Sequence, residues 1–192
     1  MGILKKVLLL LSGGFEVYEA SAFIDVMGWN LVDGDGTTEL ITCGIRKQIC
    51  SSFNLRVTVD VTIDEVNVEE YDALAIPGGF ERYGFYEDAY SEKSLELIRE
   101  FYKKNKIIAA ICVGALQVGK SGVLKRKKGT TYITRQDQLK GYGVIVLKDP
   151  IVIDDNIITS WNPATAIGVA IKLLELLTSK KNSGRIKEIM GF

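Results

Sequence analysis

The chain of 192 residues contains no histidine. That absence removes the Ser-His-Asp triad, a Cys-His pair within one chain, HExxH metalloprotease chemistry and most catalytic zinc sites. Any proton transfer has to use a carboxylate, tyrosine, lysine or water. Cysteine is scarce as well. The three residues at 43, 50 and 112 are odd in number and lack CxxC spacing, so neither a disulfide framework nor a metal site is expected. A reducing cytoplasm is the expected setting. Charge of one sign is also missing: Lys plus Arg and Asp plus Glu stand at 24 each, which argues against a nucleic-acid partner. No apolar run is long enough for a membrane span. The run Val7-Leu8-Leu9-Leu10-Leu11 is short, and Met1 to Ser12 carries no signal-cleavage pattern, so it reads as a buried first strand and no membrane partner is expected.

What is present is an ordinary globular composition, 47% hydrophobic and 25% charged. The length fits one domain over 1–192, with a core of about 3–178 and a tail over 179–192. Strand-like apolar runs alternate with helical-period segments, the pattern of an α/β domain with a mostly parallel sheet. Strands are expected near Lys5 to Leu11, Glu39 to Cys43, Arg56 to Val61, Ala73 to Ile76, Ile107 to Ile111 and Ile157 to Ser160. Shorter ones are expected near Thr130 to Ile133 and Val144 to Ile153. Helices are expected near Glu16 to Gly28, Ser91 to Asn105, Gly114 to Val123 and Pro163 to Leu177, the last capped by Asn162. A short helix is expected in the tail, near Arg185 to Met190.

The most informative segment is Ile107-Ile108-Ala109-Ala110-Ile111-Cys112-Val113-Gly114. A buried strand ends in a cysteine framed by the small residues Ala110 and Gly114, as a nucleophile elbow requires. The helix that follows would aim its first N–H groups and its positive end at Cys112, favouring thiolate. A buried structural cysteine fits the same local pattern. Ligands in open parallel sheets bind beyond the carboxyl ends of the strands, so two other strand ends matter. Ser12-Gly13-Gly14-Phe15-Glu16-Val17-Tyr18-Glu19 follows the first strand and places two carboxylates at a helix start. Pro77-Gly78-Gly79-Phe80 follows the fourth. The N–H groups of Gly79 and Val113 could together form an oxyanion hole. Glu16 and Glu19 also have a plain reading as helix N-terminal acids.

These segments, with Ile158-Thr159-Ser160-Trp161-Asn162-Pro163-Ala164-Thr165, together resemble the ThiJ/PfpI superfamily, and within it the branch of the Parkinson-disease deglycase and its bacterial relatives. The resemblance runs in order from the first strand to the last long helix. It implies a flavodoxin-like three-layer sandwich, usually a homodimer, with Cys112 as nucleophile and Glu19 as the carboxyl that shares its proton. It also implies Gly79 and Val113 as backbone donors, with Glu16, Gly78, Gly114, Tyr132 and Trp161 around them, and no cofactor. Protease-like members carry histidine after the cysteine where this chain has Val113. Glyoxalase members often carry one near the position of Tyr132, and a tyrosine with its ordinary pKa of ~10 is a poor base near neutrality. Trp161-Asn162 replaces a commonly glycine-bearing stretch.

The expected chemistry is addition of Cys112 to a small reactive carbonyl such as methylglyoxal, in a glyoxalase- or deglycase-like role in stress protection. An alternative is a non-enzymatic oxidative-stress sensor or chaperone that works through oxidation of Cys112. An amidase or peptidase fits least, because the chain lacks the base. The aromatic loop Phe80 to Asp88 reads either as a wall over the cysteine or as a surface loop packing its rings on the domain.

Overall fold

The computed structural model describes residues 3–192; residues 1 and 2 of the expected 1–192 span lie outside it. In chain order the strands are β1 Lys5–Leu10, β2 Thr38–Gly44, β3 Gln48–Cys50, β4 Arg56–Thr58, β5 Val61–Thr62, β6 Ala73–Ile76, β7 Ile107–Ala110, β8 Lys128–Gly129, β9 Ile145–Val146, β10 Ile151–Asp154 and β11 Ile157–Ser160. The helices are α1 Val17–Asp33, α2 Phe85–Ala89, α3 Glu92–Lys103, α4 Gly114–Ser121, α5 Gln136–Gly141, α6 Ala166–Leu177 and α7 Lys180–Ile189. Seven strands form one sheet in the order β10-β11-β7-β6-β1-β2-β5, parallel throughout except for the β10–β11 pair. This is a mostly parallel sheet flanked by helices, the flavodoxin-like α/β architecture.

The central strands are apolar on both faces because helices cover both. Along β1 and just beyond it, Val7, Leu9 and Leu11 join the core under α1 and α6, while Leu8 and Leu10 join the opposite core with α3 and α4. The same alternation splits Ala73 and Ala75 from Leu74 and Ile76 in β6. Such two-sided burial contributes about 25 cal/mol per Å² of apolar surface removed from water. α7 closes the α1–α6 side: Ile186 is fully buried there, and Asn182 Nδ2 donates to Asn30 Oδ1 at 2.5 Å.

Three expected strands differ. Arg56 to Val61 is not continuous: β4 pairs with β3, whereas β5 joins β2. Asp60 breaks the run, its carboxylate accepting from the Thr42 N–H at 2.8 Å and the Thr42 hydroxyl at 2.6 Å. Thr130 to Ile133 is not a strand. Its threonines bond outward instead, the Thr130 N–H donating to Thr159 Oγ1 at 3.0 Å and the Thr131 hydroxyl to the Cys112 carbonyl at 2.7 Å. Val144 to Ile153 contains two separate strands, β9 and β10. The final long helix begins with a 3₁₀ turn, Pro163–Thr165, with Asn162 at its N-cap and Pro163 at its start as expected, although Asn162 Oδ1 itself makes no full hydrogen bond. The Thr165 hydroxyl takes over that end, accepting from the Asn162 N–H at 3.4 Å.

The chain leaves β1 in one direction through α1 to β2, and β6 leads in the other direction to β7. Strand order therefore reverses beside β1 and β6. A crevice at such a switch point is where open sheets bind ligands.

Candidate functional site

Cys112 follows β7 on the turn into α4, with φ of 56°. A side chain in this left-handed conformation costs roughly 1–2 kcal/mol, so the surroundings must hold it. They do so through its backbone. The Cys112 N–H donates to the Ser160 carbonyl at the end of β11, at 3.0 Å, and the Cys112 carbonyl accepts from the fully buried Thr131 hydroxyl at 2.7 Å. Thr131 is a member of the site that sequence reasoning missed. No local motif marks it, because its partner lies 19 residues away.

Glu19 sits in the first turn of α1 and is completely buried. One oxygen accepts the Gly78 N–H at 2.6 Å, while Oε1 has no nitrogen or oxygen partner. Gly78 is forced by crowding: a Cβ there would lie 3.0 Å from Cys112 Cβ, from Glu19 Oε2 and from the Val113 nitrogen. The same distances show that β1, β6 and β7 deliver Glu19, Gly78 and Cys112 to one point. Gly79 packs against the Gly14 carbonyl and the Phe85 ring, and its N–H has no acceptor among the described residues. Gly114 opens α4 against the Ile76 and Pro77 carbonyls.

Burial pushes the Glu19 carboxyl up to about 8; the nearby Glu16 adds to the rise, while the Gly78 N–H and the Cys112 thiol oppose it. The Cys112 thiol is pushed up too, by burial first and by the Glu19 carboxylate second, with the Val113 N–H pulling the other way. The helix end therefore does not by itself create a free thiolate, contrary to the sequence expectation, because desolvation outweighs it. The two groups titrate as a pair, and near neutrality the pair retains a proton that separated groups would not share.

Cys112 and Val113 form part of the wall of a cavity of about 400 Å³. Glu16, half-buried and with its pKa raised by burial, joins them there. Tyr132, 38% exposed, also borders the cavity. Trp161 does not border it; its indole N–H donates to Thr130 Oγ1 at 2.9 Å, bracing the segment that carries Thr131. The aromatic loop serves both of its readings. Phe80 and Tyr86 line the cavity, whereas Phe85 is buried in the core and Tyr83 meets Phe53 at 5.6 Å between ring centroids. Sequence reasoning also missed Arg135, which reaches the cavity from the turn before α5. Among the described residues no cluster of three or more Cys, Asp or Glu is arranged to hold a metal.

The DJ-1/PfpI family model matches residues 5–176. The chain belongs to the DJ-1/PfpI family. Deglycase PfpI of Pyrococcus furiosus is 31% identical over 174 residues, covering 90% of this chain and 99% of that protein. The glutathione-independent glyoxalase DJ-1 of Schizosaccharomyces pombe is 38% identical over 115 residues, 58% of each chain. An uncharacterized Methanocaldococcus jannaschii protein is 35% identical over 125 residues, and that match spans 64% of this chain and 60% of the relative's length. Among solved structures, Drosophila melanogaster DJ-1beta superposes with a TM-score of 0.87 at 25% identity, over 98% of both chains. Schizosaccharomyces pombe DJ-1 gives 0.82 at 27% identity, over 97% of this chain and 99% of that one. Membership agrees with the sequence resemblance, and two of these relatives, the Pyrococcus and the Schizosaccharomyces proteins, are named as a deglycase and a glyoxalase.

Proposed function

We propose that this DJ-1/PfpI protein is a cysteine-dependent enzyme acting on small reactive carbonyls, with glyoxalase- or deglycase-like chemistry. The observation that carries the reading is a fully buried glutamate, its pKa raised to about 8, against the thiol of a strained strand-to-helix turn. A protonated Glu19 allows thiolate character on Cys112 without two adjacent negative charges. The names of the Pyrococcus and Schizosaccharomyces relatives support the same substrate class.

On an α-oxoaldehyde, the Cys112 sulfur forms a C–S bond to the aldehyde carbon as the carbonyl π pair moves to oxygen. The N–H groups of Gly79 and Val113 stabilise that oxyanion, and Glu19 supplies the proton that neutralises it. Glu19, now a carboxylate, removes the C–H proton of the hemithioacetal to give an enediolate and returns it to the neighbouring carbon, while the hydroxyl proton passes from the first oxygen to the second, leaving a thioester. Water cleaves the thioester to a hydroxy acid and restores the thiol. The aldehyde carbon is oxidised and the ketone carbon reduced, so no external oxidant is required.

A second reading, a sensor that stores oxidation at Cys112 as a sulfinate, uses the same donors; the partly exposed thiol favours it. The cytoplasmic setting and homodimer remain part of this proposal. Assays of wild type, Cys112→Ser and Glu19→Gln against α-oxoaldehydes decide between the readings. The enzyme reading expects loss of at least about a hundredfold in each variant, in keeping with removal of a nucleophile or a general acid–base. Equal turnover by Cys112→Ser overturns it. Selective double oxygenation of Cys112 under mild peroxide, with no turnover by wild type, favours the sensor.

A further inference from the structure

We propose that the Cys112 cavity selects reactive carbonyls bearing a negative charge at the end remote from the aldehyde, with Arg135 and Arg82 holding that charge. The inference rests on the carbonyl reading above and adds the class of substrate.

The cavity has two unlike ends. Cys112, Val113 and Gly79 form the reacting end, while Arg82, Arg135 and Glu81 are exposed residues of its wall. Tyr86 is a further residue of the wall, and Arg135, Glu81 and Cys112 all lie near enough for their charges to act on its phenol. At about 400 Å³ the space suits a ligand considerably longer than a three-carbon aldehyde. Charge gives the ligand its direction. Glu16 stands at the reacting end, where its charge acts on both Glu19 and Cys112, and disfavours an anion there. Arg82 and Arg135 stand in the wall with one carboxylate residue, Glu81. Arg135 Nη2 meets Glu81 Oε2 at 3.3 Å, with both side chains well exposed, and among the described residues no carboxylate lies within ion-pair distance of Arg82. A single exposed ion pair is weak and occupies little of the five-donor capacity of a guanidinium. Arg135 can therefore accept a ligand carboxylate in the bidentate geometry that arginine favours.

The test compares methylglyoxal with dioxovalerate, which is methylglyoxal extended by a carboxymethyl group. With one water, dioxovalerate gives hydroxyglutarate by the same internal redox step, so the reacting end is the same and the two differ only in the charged extension remote from it. The wild type is expected to show the higher kcat/KM for dioxovalerate. Combined Arg82→Met and Arg135→Met replacement lowers the dioxovalerate-to-methylglyoxal ratio by about tenfold, the loss of one charge-assisted contact. Glu81→Gln, which frees Arg135, raises the ratio, an opposite sign that general damage to the fold would not produce.

A second measurement needs no turnover. Cys112 is alkylated with a maleimide carrying a propionate arm and with its propionamide counterpart, so that the charge lies remote from the reacting carbon, and the exposed Cys50 serves as internal reference. The propionate-to-propionamide rate ratio should be higher at Cys112 than at Cys50 and should fall in the double arginine variant and in high salt. If methylglyoxal turnover depends on Cys112 but neither ratio responds to the arginines, the charge inference fails and the carbonyl reading stands. If neither aldehyde is turned over while the alkylation ratio falls with the arginines, the carbonyl reading fails and anion selection stands. If the alkylation ratio at Cys112 matches that at Cys50 and the aldehyde ratio is unmoved, anion selection is overturned.

Discussion

Cys112 owes its position to hydrogen bonds that its own side chain does not make. Its φ of 56° is held by the Ser160 carbonyl on one side and the Thr131 hydroxyl on the other. Thr131→Val keeps the shape but leaves the Cys112 carbonyl without that donor, at a stability cost of about 1 kcal/mol. As a positioning residue, Thr131 should also affect chemistry: kcat for an α-oxoaldehyde falls by about tenfold with little change in KM, the pH profile of Cys112 alkylation shifts, and Thr131→Ser restores both. A purely structural hydroxyl would lower the melting temperature and leave the profile in place. Cys112, Glu19 and Gly78 were legible in the sequence because each lies in the connection or helix start beyond a strand's carboxyl end, so the order of the parallel sheet brings them together. Thr131 and Arg135 were not legible, since their approach depends on a connection that makes no regular ladder.

Among the elements, the β1–α1 connection carries Glu16 and Glu19, and the segment after β6 carries the aromatic wall. Asp88, nearly buried at the end of α2, ties the two together. It accepts from the Gly13 N–H at 2.7 Å and from Arg46 Nη1 at 2.9 Å. Asp88→Ala leaves the buried Gly13 N–H unsatisfied, and chemical denaturation should show a loss of about 1–3 kcal/mol. Arg46→Met, which removes the more exposed partner, should cost less. The regular elements were readable where periodicity and caps agreed: β6 and β11 have the expected limits, and α3 starts after Ser91, whose Oγ accepts from the Ser94 N–H. β3, α2 and α5 were not readable. Each spans six residues or fewer, too short to show a period, and α2 lies inside a loop whose rings had several packing solutions.

For the molecule as a whole, Glu19 couples the site to stability. Its carboxyl is raised from 4.5 to about 8, so between those values the folded chain holds a proton that the unfolded chain releases. The stability associated with neutral Glu19 is fully present below about 4.5 and is lost as pH rises through about 8. Unfolding of wild type and Glu19→Gln across this range should show the wild type losing ground by on the order of a few kcal/mol, since the amide cannot ionise. The architecture was open to sequence reasoning because apolar strands alternate with amphipathic helices along the whole chain. The balance of electrostatic forces at Cys112 was not, since desolvation depends on how completely the strand ends enclose the pair.

The chemistry of the pair turns on where the shared proton resides, and infrared difference spectroscopy of the carboxyl C=O stretch reads this directly. The wild type should show a protonated carboxyl band at neutral pH that is absent from Glu19→Gln and fades as pH rises through about 8. A wild-type spectrum identical to that of Glu19→Gln at neutral pH would mean that Glu19 is already ionised, and would contradict the pairing of a neutral glutamate with Cys112.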